Sequence, residues 1–410
     1  MKRVVVTGIG AVTPVGNDIG SMWDSLKNGR HGIDRITKFD TTEFKTKLAA
    51  EVKGFDPLQY MEKTEARRND LFSQYATAAA VQAMEDSGLE GTVADERLGV
   101  YMGFGVGGID TFSKEMEKLF TKGPRRVSPL FIPMIIGNIA GGNIAIRFHA
   151  KGPCLPVVTA CATGSNAIGE AFRAIKHGYA DAIIAGGAEA AISPIGIAGF
   201  ANMMALSPAE NKDEACLPFD ARRKGFVMGE GAGALILEEY GHAKARGAKI
   251  YGEIAGYGVN CDAYHITAPD PEATGGANAI VAALAEGGIA KTEKIYMNAH
   301  GTGTKLNDAA ETKAVKQAFG CTDHVIISST KSMTGHMLGA AGAVEAIASL
   351  LALQTGVIPP TVGLLEADPE CDLDYVPQTA RKEAVNCAIS LSLGFGGHNA
   401  CVAFIKEDRE

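Results

Sequence analysis

A strand, a glycine-rich turn and a helix follow one another repeatedly along this chain, and that order constrains it to a layered α/β architecture. The strand candidates are Val4–Thr7, Leu98–Met102, Val157–Thr159, Ala182–Ala185, Ala234–Glu238, Ile295–Asn298, Val325–Ser328 and Ala400–Ile405. Most are apolar runs without alternation, which suits strands covered by helices on both sheet faces. Helical spacing predicts helices around Met61–Ser87, Ile168–His177, Gly276–Ala285, Asp308–Phe319 and Gly342–Leu353. Fifty glycines in 410 residues, with no Gly-X-Y period, predict tight turns and close backbone approach. No low-complexity linker separates domains. A hint of duplication comes from Thr159–Gly164 and Ser329–Gly335, each expected to follow a β-branched strand and precede a small-residue helix. A division near Gly247–Tyr251 gives halves of 1–249 and 250–410.

Several classes are excluded. A net charge of −8 argues against general nucleic-acid binding. No apolar stretch reaches the ~20 residues of a membrane span, and the longest, near Ala340 to Leu353, is interrupted by Gly342 and Glu345. No secretory signal is expected at the start, where Arg3–Thr7 runs as a strand into Gly8-Ile9-Gly10. The eight cysteines contain no Cys-x-x-Cys pair, so neither a disulfide framework nor a zinc pattern emerges. Free thiols in a reducing cytoplasm are the expectation. Gly8–Gly10 and Gly103–Gly108 imitate nucleotide-binding loops but lack the full fingerprint, and both read as turn chemistry.

Cys161 sits where Val157–Ala160 gives way to small residues and a helix. A cysteine near a helix N-terminus gains partial positive charge that favours thiolate. A packing role is the ordinary reading for any one cysteine, and a buried structural role for either His300 or His336 alone. Both histidines follow strand candidates, His300 in Asn298–Thr304 and His336 in Thr330–His336, where ligands of α/β folds collect. A third glycine loop, Leu393–Asn399, carries Phe395 ahead of the last strand.

Together, Thr-Ala-Cys161, Asn-Ala-His300-Gly-Thr-Gly-Thr, Thr-Lys331-Ser-Met-Thr-Gly-His336 and Gly-Phe395-Gly-Gly resemble the β-ketoacyl-[acyl-carrier-protein] synthase family, nearest to its elongating type II members. The resemblance runs nearly end to end. It implies a thiolase-like five-layer α-β-α-β-α fold with two related halves, a homodimer, and acyl carrier protein as partner, with neither nucleic acid nor membrane insertion. By this resemblance Cys161 takes up a fatty acyl group, and its N–H and that of Phe395 form an oxyanion hole. His300 and His336 stabilise the enolate left when malonyl-carrier protein loses carbon dioxide, and Lys331 sets the local electrostatics. Glu311 and Glu345 are implied as supporting partners, and Thr302, Thr304 and Thr267 as contacts of the pantetheine arm. Val106 and Phe200 match tunnel positions, Phe395 a gate, and Arg67, Arg68, Arg125 and Arg126 a carrier-protein dock, with Met204 standing where an arginine is often found. No cofactor or metal is required, although a structural alkali cation near Asn298 and Glu345 is compatible with the resemblance.

Rival readings differ in particular residues. A thiolase needs a second catalytic cysteine near the C-terminal glycine loop, where this chain has His398. An initiating synthase pairs its cysteine with histidine and asparagine, whereas His336 holds the second place here. A polyketide ketosynthase shares all these residues and is the nearest alternative. A chain-length-factor-like structural subunit lacks the nucleophile and is disfavoured by Cys161.

Overall fold

Strand β1 (Val4–Val12) is buried along its whole length and stands near the middle of the fold. The computed structural model describes residues 1–407. Nine further strands join β1 in one sheet: β2 (Leu98–Gly103), β3 (Cys154–Leu155), β4 (Ala182–Glu189), β5 (Gly231–Glu239), β6 (Gly252–Cys261), β7 (Ile295–Asn298), β8 (Val325–Ser328), β9 (Cys387–Gly394) and β10 (His398–Ile405). Their order is β8-β7-β9-β10-β6-β1-β5-β4-β2-β3. Outward from β1 the pairings run antiparallel, antiparallel, parallel, parallel, through β5, β4, β2 and β3. Outward from β6 the same sequence of pairings recurs through β10, β9, β7 and β8. The two sets touch through Val5 opposite Glu253 and Val6 opposite Gly252.

Helices complete the layers. Helix α1 (Leu71–Ser87) covers the outer face of the first set, and α3 (Thr274–Glu286) with α4 (Lys305–Phe319) covers the second. Between the sets lie α2 (Thr163–Lys176) and α5 (Ala341–Thr355). Every residue of α5 from Ala341 to Leu353 is buried, which explains its apolar composition on all sides. The run Leu338–Thr355 is long and apolar enough to cross a membrane by length and composition, but 89% of it is buried inside the fold.

Glycine sets the spacing of the outer layers. A Cβ on Gly8 or Gly10 would strike the α1 carbonyls of Ala83 and Ala79. A Cβ on Gly256 or Gly258 would strike the α3 carbonyls of Ala283 and Ala279 in the same manner. Gly8-Ile9-Gly10 is therefore close strand–helix packing inside β1, not the turn its sequence predicts. Three other expectations are corrected. Val157–Thr159 is not a strand, and the paired residues there are Cys154–Leu155. The helix expected over Met61–Ser87 is broken, because the Asp70 carboxylate accepts the Phe72 N–H and starts α1 at Leu71. Strands β6 and β9 lay outside the predicted set, since glycines in β6 and Ser390 and Ser392 in β9 interrupt the apolar pattern.

Candidate active site

The chain enters α2 through a tight turn at Ala160–Ala162. Ala160 has φ +50°, a left-handed conformation that costs a non-glycine residue of order 1 kcal/mol. The turn is held from both sides. The Thr159 N–H donates to Thr163 Oγ1 at 2.8 Å, and the Thr159 hydroxyl donates to Asn166 Oδ1 at 2.8 Å. The Asn166 amide in turn donates to the Tyr257 hydroxyl at 2.6 Å, tying the turn to β6 of the other strand set. Facing it, the end of β9 comes so close that a Cβ on Gly394 would lie 2.7 Å from the Thr159 carbonyl and 3.3 Å from the Cys161 nitrogen. That approach lets the Phe395 N–H reach the Cys161 sulfur as a hydrogen-bond donor.

Both histidines converge on the same space. His300 follows β7, and its N–H and that of Gly301 donate to the Glu311 carboxylate at 2.7 and 2.8 Å. His336 is fastened by its N–H to the Val227 carbonyl at 2.7 Å and by its own carbonyl to the Gly229 N–H at 2.8 Å. The two rings stand perpendicular, 5.3 Å apart between centroids. Cys161, His300, His336, Phe200 and Phe395 line one cavity of about 670 Å³.

Electrostatics separates the three groups. Burial drives both imidazoles well below the ordinary histidine range, and the Lys331 charge pushes the same way, so both rings are neutral. Burial pushes the Cys161 thiol up to about 12, only partly countered by Lys331 and the Phe395 N–H. Burial thus works against the thiolate that a helix start favours.

Two family models cover this architecture, the β-ketoacyl synthase N-terminal domain over residues 1–243 and its C-terminal domain over 251–365. The chain belongs to the β-ketoacyl synthase family. It is 50% identical over 407 residues to a 3-oxoacyl-[acyl-carrier-protein] synthase 2 of Staphylococcus aureus (strain COL), covering 99% of this chain and 98% of that protein. It is 51% identical over 410 residues to the enzyme of the same name from Synechocystis, with 99% and 98% covered. Among solved structures, it is similar to the ketosynthase AntDE, captured with a type II polyketide acyl-carrier protein and a hexaketide, at TM-score 0.92 and 33% identity over 99% and 100% of the two chains.

The remaining expected residues lie at different depths around this ketosynthase centre. Lys331 is fully buried and its Nζ pairs with Glu345, whose own ionisation is opposed by burial. Glu311 is buried too, its carboxyl raised to about 8 by desolvation despite two N–H donors. Thr302 and Thr304 share a hydrogen bond of 3.0 Å between hydroxyls, and both line the cavity with Thr267. Val106 is not brought in: it is 40% exposed on the single chain and lies outside the cavity lining, whereas Phe200 lines it. Arg67, Arg68, Arg125 and Arg126 are exposed and form no ion pair among the described residues. Met204 is 87% exposed at φ +57° and lines the cavity with Met203.

Sequence reasoning missed two buried groups that hold the ketosynthase loops. Arg223 donates to the carbonyls of Thr304 and Lys305, each at 3.2 Å, and pairs with Asp368. Glu189 gathers backbone N–H groups from two segments. Desolvation raises its carboxyl to about 7, held back by those N–H donors. A charged residue closing the apolar run Ala182–Ala188 is the signal that could have marked it.

Proposed function

We propose that this chain catalyses the decarboxylative condensation of a malonyl group on acyl carrier protein with a fatty acyl group held on Cys161, extending the chain by two carbons. The observation that carries this reading is a thiol meeting a backbone N–H in the same cavity as two neutral, perpendicular imidazoles. First, Cys161 sulfur adds to the thioester carbonyl of the acyl carrier, the carrier thiolate leaves, and the thiol proton passes to it. The N–H groups of Cys161 and Phe395 receive the oxyanion, a type of contact whose loss typically costs about 3 kcal/mol in the barrier. Malonyl-carrier protein then loses carbon dioxide, and the electron pair of the broken C–C bond becomes an enolate. Neutral His300 and His336 each have an N–H to donate to its oxygen, which protonated or charged neighbours are not needed to supply. The enolate carbon attacks the acyl-enzyme carbonyl, the C–S bond breaks, and a proton taken from solvent restores the Cys161 thiol.

The relatives at 50% and 51% identity carry the 3-oxoacyl-[acyl-carrier-protein] synthase 2 name, which favours fatty-acid elongation over the polyketide role of the more distant AntDE. A chain-length-factor role fits poorly with an intact nucleophile. The decisive experiment supplies malonyl-carrier protein with acyl-carrier proteins of graded length and identifies products by mass spectrometry. Cys161→Ala is expected to abolish both acylation and condensation. His300→Ala and His336→Ala are expected to become acylated but to lose malonyl decarboxylation. A cysteine variant that still elongates acyl chains would sink the reading.

We also infer the setting of this activity. The chain divides into related halves 1–249 and 250–410, as the recurring strand pairings suggest. The exposed arginines Arg67, Arg68, Arg125 and Arg126 offer a basic dock for an acidic carrier. A homodimer is supported by β3, an outer strand whose Leu155 is 52% exposed, with Val158, Ile132 and Ile146 exposed nearby in sequence. A cytoplasmic site agrees with eight free cysteines. An alkali cation also fits these residues: Glu345 Oε2 and Ser390 Oγ are buried without partners, and Ser390 lies beside Asn298 in the sheet register. These hard oxygen donors suit a monovalent ion, which would neutralise buried negative charge next to Lys331.

A further inference from the structure

Glu189 ends β4 with no exposed surface and no ion pair among the described residues. Its carboxylate accepts four backbone N–H groups instead: Gly105 at 2.8 Å, Val106 at 3.1 Å, Gly107 at 3.2 Å and Gly339 at 3.1 Å. Three come from the glycine loop after β2. The fourth comes from the turn Leu338–Ala340, which begins two residues after His336. One buried anion therefore clips together segments more than half the chain apart, through charge-assisted bonds.

The clip reaches the nucleophile through packing. A Cβ on Gly339 would strike the Gly105 nitrogen, and one on Gly187 would strike the Gly339 carbonyl. Gly164, three residues after Cys161, stands against the same turn, where a Cβ would lie 3.2 Å from the Gly339 carbonyl. Next to Gly339, Leu338 is held at φ +48° and buried in the apolar cluster that contains Cys161, Ile192, Ile197 and Phe226. Cys161 is only 7% exposed, and Phe200 and Phe226, which pack in that cluster, line the cavity with it, so an acyl group on its sulfur lies against the cluster.

We propose that Glu189 is a positioning residue for acyl-chain selectivity, fixing the Leu338 wall against which the chain bound to Cys161 extends. This inference rests on the acyl-enzyme reading above. Glutamine preserves the shape but offers one acceptor oxygen, and it turns an NH₂ group toward N–H donors. Glu189→Gln therefore releases part of the clip, and longer acyl chains, which reach furthest along the wall, feel it most.

The test measures the rate of Cys161 acylation by intact mass, using butyryl- and lauroyl-carrier protein, for wild type and Glu189→Gln. The lauroyl-to-butyryl ratio of kcat/KM is expected to fall about tenfold, the scale of losing hydrogen bonds to a charged acceptor. Gly105→Ala attacks the clip from its other side, since its Cβ would lie 2.5 Å from Glu189 Oε2, and should shift the ratio in the same direction. Equal losses for both acyl lengths, or unfolding of both variants, would assign Glu189 a merely structural role and overturn the proposal. If wild type is acylated yet never condenses, the condensing reading falls while the selectivity ratio is still measured. Absence of any wild-type acylation would overturn both.

Discussion

Cys161, His300 and His336 all rest uncharged, and burial is the common cause. In the reaction proposed above, the cysteine proton then leaves as the thioester is attacked rather than beforehand. For the histidines it means that acidification to pH 6 does not charge them. Ring ¹⁵N shifts of His300 and His336 in labelled enzyme are expected to hold neutral-imidazole values at pH 6; imidazolium shifts there would contradict the electrostatics described. The sign of the linked stability follows. Unfolding returns each ring to an ordinary histidine pKa near 6.5, so the unfolded chain binds more protons below that value. These two residues therefore make the fold less stable as pH falls below about 6.5.

At the scale of elements, the junction of β9 and the α2 entry turn is the tightest constraint on chemistry. Gly394→Ala would place a methyl group 2.7 Å from the Thr159 carbonyl and 3.1 Å from the Ala162 nitrogen, pushing the Phe395 N–H off the sulfur. Cys161 acylation by acyl-carrier protein is expected to fall by about 10²-fold, comparable to losing an oxyanion donor. An unchanged acylation rate would detach Phe395 from that role. This junction also shows what can be read along the chain. Cys161, His300, His336 and Phe395 stand in loops whose small flanking residues announce close approach to a ligand. Arg223 and Tyr257 give no such notice, and Glu189 only its charge at the end of an apolar run, because their meaning depends on segments that meet only after folding. Most strands rich in β-branched residues are legible, although Val157–Thr159 forms none, while β6 escapes because its glycines answer to α3 rather than to strand propensity. Val106 was placed by likeness to relatives, and on the single chain it lies outside the cavity.

For the whole molecule, β3 leaves one end of the ten-stranded sheet open. An open edge with exposed apolar neighbours is a template for pairing with another chain unless it is covered. Leu155→Lys should blunt that edge, and light scattering is expected to show a dimer for wild type and a monomer for the variant. A wild-type monomer would refute the assembly proposed here. The cavity has a different consequence. Cys161, His300 and His336, to which the proposed reaction gives the acyl group and the malonyl group, share one chamber of about 670 Å³. Two pantetheine arms cannot profitably occupy it together, so the first carrier has to depart before the second delivers its cargo. The kinetics should then be ping-pong, with each loaded carrier inhibiting the other's turn at high concentration. The supply ratio of the two carriers, as much as either concentration alone, would govern the rate of chain growth.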